Sequence, residues 1–158
     1  MRKRRGYAVI LSVMLSMFLL AAIISLAHIQ HTSMQQRRGI LYRETAHRVA
    51  ESGIERGLQR LTANRSFTTP ATGVTEPCVW QVNLSGVTTE CSYTYVVGGL
   101  SLCPSLPPGT TLPGGARCIK SKSTLKLNGT IVAERLIATI VSFDPVDYKP
   151  IHHFWKEE

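Results

Sequence analysis

No proline occurs before Pro70, and no charged residue lies between Tyr7 and Ala27. The two absences coincide. Without proline nothing breaks a helix over the first third of the chain, and without charge nothing keeps residues 7–27 in water. A helix over those 21 residues is about 32 Å long at ~1.5 Å per residue, enough for a hydrocarbon core of ~30 Å. Other absences exclude functions. The chain has no nucleophile elbow, P-loop, HExxH or paired-carboxylate motif, so no enzymatic activity is expected. No basic stripe interleaved with aromatics runs through the C-terminal part, so no nucleic-acid partner is expected. No cofactor or metal site is expected either: the four cysteines contain no CxxC, and Asp144, Asp147 and His152-His153 lack the spacing of a metal loop.

The formal net charge is +8 over 158 residues. Arg2, Lys3, Arg4 and Arg5 carry +4 of it and leave +4 for the rest. A basic cluster just before an apolar run stays on the cytoplasmic side, which puts the C-terminal bulk outside. Cys78, Cys91, Cys103 and Cys118 all lie in that exported part. An even count there points to two disulfides in an oxidising compartment. Three connectivities exist; the pairing of sequence neighbours, Cys78–Cys91 and Cys103–Cys118, is preferred.

Residues 28–39 are polar and end at Gly39, a weak point in a helix. Over 40–63 a helical period returns. Ala46, Ala50, Gly53, Gly57 and Leu61 share one face, flanked by Val49, Ile54 and Leu58. This face packs on a sheet within the same chain or on another helix, and the two alternatives are compatible. Glu44–Arg48 and Glu51–Arg56 offer weak local charge compensation.

Residues 64–77, rich in Thr, Pro and Gly, read as a loop. Strand patterns follow. Trp80, Val82 and Leu84 alternate with polar residues, Ser85-Gly86 marks a turn, and Cys91, Tyr93, Tyr95 and Val97 alternate again, which predicts a hairpin. Residues 100–117 hold four prolines and read as a long, exposed loop suited to a partner. Ile119 to Leu127 alternates with a lysine row, Asn128-Gly129 marks a type I′ turn, and Ile131 to Val141 returns. Its alternation slips at Glu134-Arg135, where a bulge or strand end is expected. The tail from Asp144 reads as irregular, with Phe154 and Trp155 available to pin it down.

Three readings of the N-terminus compete. Ser25-Leu26-Ala27 before His28 is a passable signal-peptidase site, although the apolar run exceeds the usual h-region of ~7–15 residues. A plain signal anchor is the second. The third starts from Arg4-Arg5-Gly6-Tyr7-Ala8-Val9-Ile10-Leu11, which resembles the leader of type IV prepilins and pseudopilins. Ala50-Glu51-Ser52-Gly53-Ile54 resembles the N-terminal domain of PilX-like minor pilins. The resemblance covers residues 4–61 and returns faintly near 118–141. It implies cleavage after Gly6 by a prepilin peptidase and N-methylation of Tyr7. It also implies that Tyr7, Val9, Ile10, Leu11, Leu15, Phe18, Leu19 and Ile23 serve first as a membrane span and later as a filament core. Ala46, Ala50, Gly53, Ile54, Gly57, Leu58 and Leu61 would then pack the helix. Leu11 stands where most major pilins carry a glutamate, which points to a minor subunit.

The resulting expectation is an α+β, pilin-like fold with a leader (1–6), a transmembrane or filament-core helix (7–27), its amphipathic continuation (28–63) and a β-rich head (64–158). The expected function is a minor subunit of a type IV pilus or related filament, in assembly, priming or adhesion. Its expected partners are the bacterial inner membrane, the peptidase, other pilin subunits and the pilus assembly platform. Its expected location is the inner membrane with the head periplasmic, and then the pilus surface. A type II secretion pseudopilin and a secreted disulfide-bonded module released after Ala27 are the alternatives.

Overall fold

The computed structural model describes residues 3–78, 89–103, 111–147 and 149–157, with the side chains of 3–6, 8, 154, 155 and 157 left aside. The elements are a helix, α1 (Lys3–Ala63), and five strands: β1 (Val74–Pro77), β2 (Thr89–Gly98), β3 (Arg117–Leu127), β4 (Thr130–Phe143) and β5 (Pro150–Glu157). The strands form one antiparallel sheet in the order β1-β2-β3-β4-β5. The arrangement is α+β, a long N-terminal helix packed on a five-stranded sheet. By compactness the chain divides into residues 1–41 and 42–158, with the boundary inside α1.

The first unit is helical from Lys3 and keeps its apolar side chains exposed all round. Phe18 is 74% exposed and Leu11 70%. The helix is long and apolar enough here to cross a membrane.

In the second unit, α1 lays one stripe on the sheet. Ala46, Val49, Ala50, Ile54 and Leu61 are buried against a core that includes Tyr95, Val97, Ile119, Leu125, Ile137 and Val141. Strand alternation explains the sheet's share: Tyr95 pairs with Ser121 and Val97 with Ile119, so these side chains share the face beneath the helix. Two glycines set the distance of approach. A Cβ on Gly53 would overlap the Ser121 hydroxyl and come within 3.0 Å of the Tyr93 ring, and one on Gly57 would come within 2.9 Å of Ile119. The internal packing of this helical face is therefore realised on the sheet. Ser123 adds a hydrogen bond from its Oγ to the Ala46 carbonyl at 2.6 Å.

The other face of the sheet is also covered at one end. Cys118, Ala138, Ile140 and Ser142 alternate away from the helix and are buried. The Cys103–Cys118 disulfide brings the short turn Leu100–Leu102 onto that face, with Leu102 against Gly98. A second disulfide joins Cys78 to Cys91 beside the β1–β2 pairing. Both bonds join sequence neighbours.

Three expectations need correction. Residues 64–77 are not all loop, because Val74–Pro77 forms the edge strand β1 and pairs Val74 with Tyr95. A four-residue edge strand carries almost no periodic signal, and Pro77 is tolerated because an edge needs fewer donors. The bulge in β4 falls at Val132, between the pairs Leu125–Ala133 and Lys126–Ile131, whereas Glu134 and Arg135 stay in register with Thr124 and Ser123. Glu134 reaches Lys122 across the strands at 3.1 Å, so the apparent slip is an exposed charge pair and not a backbone irregularity. Finally, the tail is not irregular: residues 150–157 form β5. Ser142 Oγ meets His153 Nε2 at 2.6 Å, and Thr139 Oγ1 meets His152 Nδ1 at 3.3 Å. The predicted strand Trp80–Leu84 and turn Ser85-Gly86 lie outside the described residues.

The Asn128-Gly129 turn has φ of +49° and +78°, as a type I′ hairpin requires.

Candidate functional site

The apolar half of α1 is the first candidate. Tyr7, Val9, Ile10, Leu11, Leu15, Phe18, Leu19 and Ile23 are each more than half exposed. A soluble helix would hide one face of such a run. Its polar groups are handled as a non-aqueous medium demands. Ser12 Oγ donates to the Val9 carbonyl at 2.9 Å, Ser16 to Ser12 at 2.8 Å and Ser25 to Ala21 at 2.9 Å. Every serine of the run is satisfied within its own helix, so an apolar surrounding would strand none of these hydroxyls. Gly6 lies within the helical backbone.

The second candidate is the grip of the sheet on residues 42–63. Arg56 turns to Glu76 on β1 at 3.3 Å rather than to Glu51. Tyr93 Oη donates to the same carboxylate at 2.8 Å. Burial and the Glu76 carboxylate push the Tyr93 phenol up to about 12. Glu44–Arg48 forms as expected, at 2.8 Å, and Glu51 meets His47 at 3.3 Å. The Arg56–Glu76–Tyr93 cluster escaped the sequence analysis because Glu76 sits in a segment whose composition reads as loop.

A third feature is a cavity of about 460 Å³ at one end of the sheet, where Arg65, Ser66, Gly114, Arg117 and Phe143 meet. The Arg65 guanidinium lies over the Phe143 ring, 5.8 Å from its centroid. These residues are far apart in sequence. The one local signal is Arg117, a charge placed directly before a disulfide cysteine. The segment 104–110 of the proline-rich loop lies outside the described residues.

Asp144 is explained by its turn. Its Oδ1 accepts from the Val146 and Asp147 backbone amides at 2.7 and 3.1 Å, and these bonds hold its carboxyl below the usual value. Among the described residues no group of three or more His, Cys, Asp or Glu side chains is placed to hold a metal.

The chain matches no protein-family model, no curated protein and no solved structure.

Proposed function

We propose that this chain is a minor pilin-like subunit of a type IV pilus or related filament, acting in pilus assembly, priming or adhesion and not as an enzyme. One observation carries the reading. A single helix, Lys3–Ala63, begins with an exposed, internally satisfied apolar segment directly after Gly6 and ends as an amphipathic stripe on an antiparallel sheet. One element thus has two burial requirements, and only the second is met within the chain. A membrane meets the first before assembly; neighbouring helices meet it afterwards, with burial worth about 25 cal/mol per Å² of apolar surface removed from water. In this proposal the peptidase cuts before the apolar run, so the mature subunit keeps it. The basic leader keeps the N-terminus cytoplasmic and the sheet periplasmic, where both disulfides form.

Intact mass and N-terminal peptide mapping of the protein from native envelopes test the reading. A start at N-methylated Tyr7 is the expected result. A start at His28 would overturn it in favour of a secreted module, and an intact Met1 would favour a plain signal anchor.

A further inference from the structure

We propose that the cavity beside Arg117 binds a small organic carboxylate of the size and chemistry of an acidic sugar. The volume of about 460 Å³ falls within the ~300–1,000 Å³ of small-molecule sites. The wall carries three complementary chemistries. Arg117, on the first position of β3, lines the cavity, and its guanidinium has no hydrogen-bond or ion-pair partner among the described residues. Its guanidinium is permanently charged, and its planar fork matches a carboxylate with two parallel N–H···O bonds. Arg65 adds a second positive charge. Its guanidinium lies over the Phe143 ring, which lines the same wall. Asp144 supplies the opposite sign. Its carboxylate already accepts two backbone amides and leaves lone pairs for donors. A simple inorganic anion gains nothing from a carboxylate wall. A molecule with one carboxylate, several hydroxyls and apolar C–H groups matches all three: the acid at Arg117, a hydroxyl at Asp144 and C–H groups beside Phe143. Gly114 and Gly115 also line the cavity, and a Cβ at either would meet nothing within 4 Å among the described residues.

The cavity lies wholly within residues 42–158, so the proposal holds whether the N-terminus starts at Tyr7 or at His28. The test is an NMR titration of the full disulfide-bonded chain in detergent micelles with glucuronate, and with glucose as its neutral match. Glucuronate is expected to shift the amides of Ser66, Gly114 and Gly115 saturably, and glucose to leave them in place. Arg117→Gln should weaken glucuronate binding about tenfold, a single charge-assisted bidentate contact, while Arg117→Lys should retain part of it. Equal response to glucose, shifts confined to other parts of the chain, or wild-type affinity in Arg117→Gln would overturn the proposal. The wild-type amide map decides the matter by itself if Arg117→Gln fails to fold.

Discussion

The two halves of α1 use similar apolar residues to opposite ends. Around Leu19 no side of the helix is covered by the described residues, whereas the half that ends at Leu61 buries one stripe to 2% exposure or less and carries charged and polar residues elsewhere. The difference lies in what interrupts the leucines and isoleucines. Between Tyr7 and Ala27 the interruptions are alanine and serine, and each serine is satisfied by its own helix. Between Arg43 and Arg60 they are mostly Arg and Glu, with Thr45, His47, Ser52 and Gln59, which require water on one face and so define the other. Burial in the second half is specified by a partner within the chain. In the first half it is left to a medium or to other molecules.

The largest effects should come from exchanging the roles of Leu61 and Leu19. Leu61→Ala removes a fully buried side chain and should cost about 2–5 kcal/mol in the unfolding of the sheet-bearing unit. Leu19→Ala should leave that transition where it is. Chemical denaturation followed by tryptophan and tyrosine fluorescence measures both. Comparable losses would mean that the apolar half belongs to the folded core, and the comparison between halves would fail. Leu19→Arg should do the reverse, adding about 2.5–3.5 kcal/mol to membrane insertion. It should raise the carbonate-extractable fraction while the sheet-bearing unit unfolds normally.

A smaller effect belongs to the cluster that fastens the second half of α1 to β1. Tyr93→Phe removes the hydrogen bond to Glu76 and should cost about 1.5 kcal/mol at neutral pH. Its pH dependence has a definite sign. The phenol titrates near 10 when unfolded and is pushed up to about 12 in the fold. The unfolded chain therefore releases its proton first. The stabilisation is complete below pH 10 and disappears as pH rises through 12. Stability curves between about pH 8 and 12 should show this loss in the wild type and a shallower one in Tyr93→Phe. Equal slopes would remove Tyr93 from the account.

Much of this architecture is legible in the residues because periodicity reports burial directly. The stripe Ala46, Ala50, Gly53, Gly57 and Leu61, the alternation from Ile119 to Leu127 and the Asn128-Gly129 turn each announce their own environment. What stays hidden is set at long range. β1 is too short to show a period, and its edge position comes from pairing with β2, beyond the first disulfide cysteine. β5 looks irregular because His152, His153 and Lys156 interrupt its apolar residues, yet an edge strand with an exposed face tolerates them. The Arg65–Arg117–Phe143 wall joins three segments that nothing local connects. The apolar run is legible as a run; its purpose rests on a leader motif of a few residues.

The finest comparison between the halves uses one substitution at two glycines. A methyl group added at Gly39 would meet nothing within 4 Å, whereas the same group on Gly53 would overlap the Ser121 hydroxyl. Gly39→Ala should therefore yield only the helix-propensity gain of about 1 kcal/mol, read as slower amide exchange across residues 36–42. Gly53→Ala gains the same propensity but must push α1 off the sheet or displace Ser121, an overpacking cost of about 1–3 kcal/mol. Its net effect should be a loss. Ser121 sharpens the test because its buried Oγ has no hydrogen-bond partner among the described residues. Ser121→Ala alone should be neutral or stabilising by about 1 kcal/mol, since it removes an unpaired buried hydroxyl. Combined with Gly53→Ala it should recover much of the lost stability, because the overlapping oxygen is gone. A double variant no better than Gly53→Ala would place the cost in the Tyr93 ring instead, 3.0 Å from the added carbon. A stabilising Gly53→Ala would mean that this half of the helix sits less tightly on the sheet than Ala46, Ala50 and Leu61 imply.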